Sequence, residues 1–345
     1  MRAAVFYGEG DIRVEDQPDP IIEVPTDAIV RVVRSCVCGS DLWSYRGANK
    51  RRGPLGIGHE FVGVVEDTGS EVTDIKRGDL VIAPFTWSCG TCPECRYGFQ
   101  SVCRNGGFWG SPGSNGGQGE QVRVPLADGT LYRVDGITEQ DTDLLPGLLT
   151  LSDVMCTGHH AAVSAGVTAG STVAVVGDGA VGLSAVIAAK RLGAARVIAL
   201  SRNPARQELA RAAGADDVIA ERGDDAVAAL LETTDSVGVD FALECVGTEQ
   251  SMSTALGGVR AGGHVGFVGV PHGSAAPMST LFSRNITVSG GVAPARAYIA
   301  ELLPDVLSGA IHPEIVFDGT FALEETPAAY AAMHERHVTK ALLIP

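Results

Sequence analysis

The stretch Thr172-Val-Ala-Val-Val-Gly-Asp-Gly-Ala-Val-Gly182 decides how the centre of this chain folds. Its first five residues predict a buried strand, and the apolar run over Ala180–Leu192 predicts a helix directly after the glycines. Gly177 allows a tight turn, Gly179 lets the backbone approach a pyrophosphate, and Gly182 lets the helix pack closely on the strand. The stretch therefore predicts a dinucleotide-binding turn.

The start of this helix supplies the groups that would hold a phosphate. Its first backbone N–H groups, those of Ala180 and Val181 among them, are free, and the positive end of the helix dipole lies beside them. Asp178 is an acidic residue inside the same turn. We expect its side chain to point outward, and we assign it no role.

Strands and helices alternate on the C-terminal side of this turn. Further strands are predicted at 196–200, 217–219, 239–244, 264–268 and 286–289. Helices are predicted over Pro204–Ala213 and Arg296–Leu307. This alternation predicts a parallel sheet with helices on both faces, the doubly wound sheet of a Rossmann domain.

The N-terminal part of the chain is different, because short apolar runs such as 28–33 and 61–65 alternate there with Gly, Pro and Asp turns. A chain of 345 residues usually has more than one core. We therefore predict an α/β protein in which a Rossmann domain over 154–290 is inserted into a β-rich domain formed by 1–153 and 291–345.

The end of the second strand of the Rossmann region bears on which dinucleotide is bound. An NAD site usually places Asp or Glu about 20 residues past the glycines, where it binds the ribose 2′-OH. Here the strand ends in Ser201, Arg202 and Asn203, with Arg206 one turn on, and no carboxylate among them would repel a 2′-phosphate. We expect NADP(H), bound through the hydroxyl and the guanidinium groups. The alternative is that the two arginines are solvated charges at a helix start.

Charge and composition exclude several classes of partner. The formal net charge of −15 would repel a nucleic acid. The first residues do not resemble a signal peptide, and no apolar run is as long as the roughly 18 residues that a membrane span needs. We therefore expect a cytoplasmic protein that acts on a small molecule and has no nucleic-acid or membrane partner.

Four closely spaced cysteines form a second informative pattern, at Cys89, Cys92, Cys95 and Cys103. Thiolates with this spacing can converge on one tetrahedral zinc. In a long chain without an export signal, metal binding is a better interpretation than disulfide bonding. The pattern predicts a structural zinc lobe over residues 89–103.

Three other segments carry metal-ligating residue types: Cys38-Gly-Ser-Asp41, Gly58-His59-Glu60 and Ser152-Asp153. Each is ambiguous alone, since a lone Cys is usually a small buried hydrophobe and an Asp before a helix is usually a cap.

Taken in order, these motifs resemble the zinc-containing medium-chain alcohol dehydrogenase family over essentially the whole chain. The pattern Gly58-His59-Glu60-x2-Gly63-x5-Gly69 is similar to the family's zinc signature, and the four cysteines are similar to its structural-zinc lobe. The resemblance implies that the β-rich domain is GroES-like and that each chain binds two zinc ions. It also implies a homodimer or homotetramer joined through the Rossmann domains.

The resemblance further implies that Cys38, His59 and Asp153 bind a catalytic zinc, although many relatives carry Cys where this chain has Asp153. Glu60 resembles a residue that visits the metal when water or substrate leaves; the alternative is that it only accepts hydrogen bonds beside the site. Cys156 is an alternative ligand.

Ser40 resembles the family's proton-relay hydroxyl, and the alternative is a simple turn residue. Many relatives have a His a few residues later, whereas this chain has Leu42-Trp-Ser-Tyr45. Other positions similar to family cofactor contacts are Thr157, Val268, Gly269, Val270 and Lys340. Lys340 could instead be a surface lysine. Candidates for the substrate wall, each of which could equally be a core aromatic, are Trp43, Phe85, Trp87 and Trp109.

Residues and resemblance together predict a zinc-dependent oxidoreductase that transfers a hydride between NADP(H) and an alcohol, ketone or aldehyde. A zinc with three protein ligands keeps one position open for the substrate oxygen. The chain is similar to the bacterial secondary-alcohol dehydrogenases of this family, which are typically NADP-dependent, and this resemblance implies a secondary alcohol. The apolar and aromatic pocket candidates favour a less polar substrate. The alternatives are a polyol or sugar dehydrogenase of the same family and, from another class, a non-catalytic nucleotide-binding relative.

Overall fold

The computed structural model of the chain describes residues 1–111, 114–273 and 277–345. The chain forms two compact units, of which the first comprises Met1–Asp153, Pro294–Ala310 and Phe317–Pro345. The second comprises Val154–Ala293 and Ile311–Val316. The first boundary lies where the sequence placed it, the second lies at 293 instead of 290, and a short segment near the C terminus also joins the second unit.

Strands β1–β18 and helices α1–α12 are numbered along the chain. The first unit contains strands β1 (Arg2–Gly8), β2 (Asp11–Asp16), β3 (Ala28–Cys36), β4 (Leu55–Gly56), β5 (Phe61–Thr68), β6 (Leu80–Ala83), β7 (Thr86–Trp87), β8 (Gly107–Phe108), β9 (Gln121–Val124), β10 (Tyr132–Arg133), β17 (Gly319–Ala322) and β18 (Ala341–Ile344). Its helices are α1 (Asp41–Tyr45), α2 (Pro93–Arg96), α3 (Ala127–Thr130), α4 (Leu145–Thr150), α11 (Ala295–Leu307) and α12 (Thr326–His334).

The main sheet of the first unit is mostly antiparallel and has the strand order β10-β6-β5-β3-β18-β17, with β9 also paired to β3. Strands β2, β1 and β4 form a smaller sheet, and β7 pairs with β8. Strand β3 is buried along almost its whole length, and Val30 and Val32 pack with Phe61 and Val81 in the core beneath it. This is the β-rich domain that the sequence predicted.

The second unit contains strands β11 (Thr172–Val176), β12 (Arg196–Leu200), β13 (Asp217–Ile219), β14 (Val239–Glu244), β15 (Val259–Phe267) and β16 (Thr287–Gly290). Its helices are α5 (Val154–Ala165), α6 (Ala180–Arg191), α7 (Pro204–Ala212), α8 (Gly223–Glu232), α9 (Glu249–Gly258) and α10 (Met278–Arg284). Short 3₁₀ turns in the two units lie at Gln100–Val102, Pro313–Val316 and Leu323–Glu325.

The strands of the second unit form one sheet in the order β13-β12-β11-β14-β15-β16, and every neighbouring pair is parallel. This is the doubly wound order of a Rossmann domain, in which the direction of winding reverses beside β11. Ligands bind such sheets in the crevice at that reversal, beyond the carboxyl ends of the strands. The predicted parallel sheet is confirmed, and the residues that follow β11 lie at this crevice.

Most predicted bounds from β11 onward agree with the structure to within one residue, and the start of β15 differs by more for a local reason. β15 begins at Val259, five residues before the predicted start, because Arg260-Ala-Gly-Gly263 has the composition of a turn yet continues the strand. The sheet tolerates these residues through an irregularity in the pairing between Val239 and Phe241 of β14. In the described ranges, no helix has both the length and the apolar composition that crossing a membrane requires.

Candidate functional site

The four predicted thiols of the lobe over residues 89–103 converge on one point. Sγ–Sγ distances are 3.5 Å between Cys92 and Cys95, 3.7 Å between Cys92 and Cys103, and 3.5 Å between Cys89 and Cys103. A zinc tetrahedron with bonds of about 2.3 Å has sulfur–sulfur edges of about 3.8 Å. All four cysteines are free, so the lobe matches a metal site and not a pair of disulfides.

The protonation behaviour of these thiols also suits a cation. Burial raises the pKa of Cys89, but the Thr91 N–H and the Asn105 amide outweigh that effect and lower the pKa to about 5. By contrast, burial and the hydrogen bonds with Cys92 and Cys103 raise the pKa of Cys95 to about 12. Thiols packed this closely cannot all lose their protons unless a cation balances their charge, which a zinc ion would do.

A second group of potential ligands lies in the first unit and consists of Cys38, His59, Glu60 and Asp153, whose ligand atoms all lie within 4.8 Å of one another. Cys38 Sγ lies 3.8 Å from Asp153 Oδ2, and His59 Nε2 lies 3.4 Å from the same oxygen. Cys38 and Asp153 are buried, and the side chain of His59 is 15% exposed. The structure thus brings together the three residues predicted to bind a catalytic zinc, at separations that suit one tetrahedral ion.

The sheet topology explains how residues so distant in sequence meet. Antiparallel strands β3 and β5 pair Ser35 with Phe61, so Cys38 and His59 lie just beyond the same end of this strand pair. Strand β6 pairs its last residue, Ala83, with Phe61 at that end. The chain then continues to Phe85, whose N–H donates to the Ser152 carbonyl at 2.9 Å and holds the segment that carries Asp153.

Asp41 is a functional residue that sequence analysis passed over as part of a motif. Its Oδ1 lies 3.4 Å from His59 Nδ1, and its Oδ2 accepts a hydrogen bond from the Cys38 N–H at 3.1 Å. Burial would lower the pKa of His59, but the Asp41 carboxylate and Cys38 raise it well above its usual value. A carboxylate on Nδ1 leaves Nε2 to face the metal, which is the usual support for a ligating histidine. The signal was its position three residues after Cys38.

Glu60 is held at the edge of this ligand group by a buried lysine. Lys340 Nζ lies 2.7 Å from Glu60 Oε1 and 3.3 Å from the Val37 carbonyl, and the two charged side chains are 1% and 0% exposed. Glu60 Oε2 is buried and has no hydrogen-bond partner among the described residues. One carboxylate oxygen is therefore fixed by a cation while the other is free to take a ligand, in keeping with a residue that visits a metal.

The burial of Lys340 bears on two alternatives from the sequence. The interpretation as a surface lysine is wrong, because the residue is 1% exposed. Burial alone lowers the pKa of a lysine, but neighbouring Cys36 and the Glu60 carboxylate raise that of Lys340 well above its usual value. The role of Lys340 as a cofactor-side cation stays a prediction.

Ser40 lies in an exposed turn directly before α1, and its hydroxyl neither caps the helix nor bonds another described residue. The hydroxyl is thus available, and its relay role stays a prediction. Cys156 is buried in α5 and lies outside both ligand groups found among the described residues, so nothing supports it as a ligand.

The aromatic candidates for a substrate wall separate by burial. Trp109 is 4% exposed, packs edge-on against Phe61 and Trp87, and donates its indole N–H to the Pro84 carbonyl at 2.8 Å. It is a core aromatic, and Trp87 packs against the same core. Phe85 is buried and Trp43 is half-buried in α1. For these two the wall assignment stays a prediction.

The glycine turn has the geometry that a dinucleotide phosphate requires. Gly177 follows β11 with φ +129°, and a Cβ on Gly182 would lie 1.9 Å from the Gly177 carbonyl oxygen. A Cβ on Gly179, in contrast, would meet nothing within 4 Å, so space is open in front of this residue. Gly179 is also the N-cap of α6, where no side chain caps the free N–H groups of Ala180 and Val181. The turn is open where a pyrophosphate would bind.

Asp178 departs from what the sequence predicted. Its side chain is 23% exposed and bonds the Ser201 hydroxyl, at 2.9 Å, and the Arg206 guanidinium, at 3.2 Å. The expectation that it points outward is wrong. The residues at the end of β12 include no carboxylate, as the sequence shows, but Asp178 brings one beside them from the end of β11. Asn203 instead caps α7 by accepting from the Ala205 and Arg206 N–H groups, and Arg202 is exposed with no partner among the described residues.

The remaining cofactor candidates follow the carboxyl end of strand β15 or lie on helix α5. The Val268 and Gly269 N–H groups donate to the Glu244 carbonyl beyond the ends of β14 and β15, and Val270 is 57% exposed. Thr157 lies in α5 and is 9% exposed. Their contacts with a cofactor stay predictions.

Comparison with known families covers both units. Residues 24–135 match the family described as alcohol dehydrogenase GroES-like domain, and residues 180–308 match the family described as zinc-binding dehydrogenase. A probable zinc-binding alcohol dehydrogenase of Mycobacterium tuberculosis is 36% identical over 340 residues, which are 97% of this chain and 86% of that protein.

Solved structures show the same likeness. The alcohol dehydrogenase TADH from Thermus sp. ATN1 superposes with a TM-score of 0.92 at 33% identity, covering 100% of this chain and 99% of that one. A protein of Sinorhizobium meliloti assigned as a zinc-binding dehydrogenase and bound to NADP superposes with a TM-score of 0.81 at 27% identity, covering 100% and 99%.

Proposed function

The chain belongs to the zinc-type medium-chain alcohol dehydrogenase family, and on that premise we propose that it transfers a hydride between NADP(H) and a secondary alcohol or its ketone. The observation that carries this proposal is the buried group of Cys38, His59 and Asp153, whose ligand atoms lie within 4.8 Å of one another. Three protein donors leave the fourth position of a tetrahedral zinc to the substrate oxygen. A non-catalytic relative would have no need to keep all three.

Residues of this chain have separate roles around that position. Zinc, when bound, would act as a Lewis acid that stabilises an alkoxide or polarises a carbonyl. Asp41 Oδ1 lies 3.4 Å from His59 Nδ1, which leaves Nε2 as the nitrogen that would bind the ion. Ser40 presents an exposed hydroxyl two residues after Cys38, where it can take the alcohol proton to water. Glu60, fixed by Lys340 at 2.7 Å, offers its free oxygen when the substrate position empties.

The proposed preference for NADP(H) depends on the positive charge beside the end of β12. Arg202 is exposed and has no partner among the described residues, so its guanidinium is free to pair with a 2′-phosphate. The relative from Sinorhizobium meliloti was solved with NADP. The test is the ratio of kcat/KM for NADPH to that for NADH, and a clear excess for NADH would contradict this part of the proposal.

The substrate class is tested with a panel of secondary alcohols, polyols and aldehydes assayed with both cofactors. We expect a small secondary alcohol to give the highest kcat/KM, because the two remaining wall candidates, Phe85 and Trp43, are aromatic and lie outside the core cluster that holds Trp109 and Trp87. Higher activity with polyols would favour the sugar- or polyol-dehydrogenase alternative. No turnover with any member, in protein that carries two zinc ions per chain, would contradict the enzyme proposal.

We also propose that the chain assembles through its second unit as a homodimer or homotetramer. In the described part of the chain, β16 lies at one edge of the parallel sheet, and Met278 and Phe282 on the preceding α10 are 72% and 87% exposed. An unpaired strand edge beside exposed large apolar side chains is a typical interface. Light scattering would test this, and a monomer at micromolar concentration would contradict it.

A further inference from the structure

Asp178 is the most unusual feature of the nucleotide turn, because it places a carboxylate among groups that the sequence assigned to a phosphate. β11 and β12 are parallel and pair Val176 with Leu200, so the residues that follow them lie side by side. Oδ2 of Asp178 accepts from the Ser201 hydroxyl at 2.9 Å, and Oδ1 lies 3.2 Å from Arg206 Nη1. The three side chains form a compact hydrogen-bonded cluster at the strand ends.

The cluster is built into the fold and is not a chance surface contact. Ser201 is 3% exposed, and the side chains of Arg206 and Asp178 are 14% and 23% exposed. The backbone around it is also held, since the Ser201 N–H donates to the Ile219 carbonyl at 2.9 Å and Gln207 Nε2 donates to the Ser201 carbonyl at 2.8 Å. The Asp178 carboxylate therefore stays beside Ser201 in the free protein.

We propose that Asp178 is a specificity-determining residue that lets the enzyme accept NAD(H) and limits its preference for NADP(H). The inference rests on the nucleotide site of the proposed function. In NAD-selective sites a carboxylate about 20 residues past the glycines accepts the ribose 2′-OH. Here Ser201 occupies that place, and Asp178 supplies the carboxylate from the end of the neighbouring strand.

Hydrogen-bonding capacity decides the direction of the effect. Ser201 has one hydroxyl hydrogen, which it already donates to Asp178, whereas an ionised carboxylate can accept about four hydrogen bonds. A ribose 2′-OH can therefore donate to Asp178 without displacing anything. A 2′-phosphate would compete with Asp178 for Ser201 and Arg206 and would be repelled by its charge, which leaves Arg202 as the unpaired cation for it.

The opposite role for Asp178 can be separated from this one by experiment. If the carboxylate served to hold Ser201 and Arg206 in place for a phosphate, its removal would weaken binding of the 2′-phosphate. If it limits NADP(H), its removal strengthens that binding. The two roles predict opposite signs for the same substitution.

The test uses Asp178→Asn in the full-length protein and isothermal titration with two fragments, AMP and adenosine 2′,5′-bisphosphate. Neither fragment has a nicotinamide, so the measurement does not depend on turnover. We expect the preference for the bisphosphate over AMP to rise about tenfold, which corresponds to about 1.4 kcal/mol. The matched control is Glu208→Gln, which removes one negative charge from α7 at a side chain that is 76% exposed and paired with Arg211.

Glu208→Gln should leave the preference within about twofold of wild type, because an exposed charge is screened by solvent. A preference that is unchanged or falls in Asp178→Asn would overturn the proposal; Asp178→Ser provides the same comparison if the first variant is unstable. If the wild type binds neither fragment, the nucleotide site and this inference are wrong together. Normal fragment binding without turnover would contradict the dehydrogenase alone and leave the Asp178 result standing.

Discussion

The two ligand groups of this chain differ in how their residues come together. The four cysteines between 89 and 103 lie on one short lobe, with sulfur atoms 3.5–3.7 Å apart along three of their edges. Cys38, His59 and Asp153 come from three distant segments. They meet only because the paired strands β3, β5 and β6 bring these segments to the same end of the sheet. The first group has four donors and would close a tetrahedral zinc, whereas Cys38, His59 and Asp153 would leave its fourth position open.

A local spacing can thus reveal a group of four donors that would leave a zinc ion no position for a substrate. The reactive site, in contrast, is assembled by topology and is supported by residues outside the ligand set, namely Asp41 on His59 and Lys340 on Glu60. Changes in the second group should therefore affect turnover before stability, and changes in the lobe should affect stability before turnover.

The largest expected effect is on turnover, from His59→Ala. Loss of a ligand removes several kcal/mol of transition-state stabilisation, so kcat/KM should fall by at least about 1,000-fold. Zinc content should drop from two ions per chain to one while the circular dichroism spectrum stays native. His312→Ala, at an exposed histidine paired with Glu314, is the matched control and should keep both zinc ions and full activity.

The lobe should respond in the opposite way to Cys92→Ser. Losing a structural metal belongs to the class of large destabilising changes, about 4 kcal/mol or more, and should lower Tm clearly. The kcat of the molecules that remain folded should stay within a few-fold of wild type, measured below the new Tm. Cys245→Ser is the comparison, because Cys245 lies outside both ligand groups found in the described ranges. A fall in kcat without a fall in Tm would contradict the assignment of the lobe.

Lys340→Met tests, through the free energy of unfolding, whether the ion pair between Lys340 and Glu60 stabilises the reactive group. Breaking a buried ion pair leaves the Glu60 carboxylate without its cation and should cost about 3–5 kcal/mol of unfolding free energy. Lys76→Met removes the same charge from an exposed turn and should change the unfolding free energy by less than about 0.5 kcal/mol. If urea denaturation gave the same loss of unfolding free energy for Lys340→Met and Lys76→Met, Lys340 would not serve this site.

Asp41→Asn is expected to give the smallest effect in this series. Partners that orient a ligating histidine typically contribute 10–100-fold to metal affinity or activity, and we expect a loss of about that size. Chelator competition would measure the zinc affinity of the variant, and steady-state assays its kcat. An affinity equal to that of wild type would mean that His59 is oriented without Asp41.

Much of the fold could be predicted from the sequence, for reasons visible in particular strands. β11, β12, β13 and β14 have the predicted bounds. β11 and β12 lie in the interior of the parallel sheet, where strands are nearly continuous apolar runs. The start of β15 at Val259 was missed, because Arg260-Ala-Gly-Gly263 has the composition of a turn. In the parallel sheet, strand bounds thus follow from composition except where glycines continue a strand.

Side-chain direction was the part that sequence could not supply. Asp178 turns toward Ser201, and Lys340 turns inward to Glu60, because of neighbours 23 and 280 residues away. No local pattern encodes such distances. Asp41 is an intermediate case, since it stands next to a recognised ligand motif but could be assigned to His59 only once β3 and β5 were paired.

The most direct test of the central claim, that one site is reactive and the other structural, is a stepwise removal of zinc with a chelator. Zinc content, activity and circular dichroism are followed on the same samples. We predict that loss of the first ion per chain abolishes activity with the spectrum unchanged, that added zinc restores the activity, and that loss of the second ion accompanies unfolding. Activity that persists after the first ion is lost, or that disappears only as the chain unfolds, would contradict it.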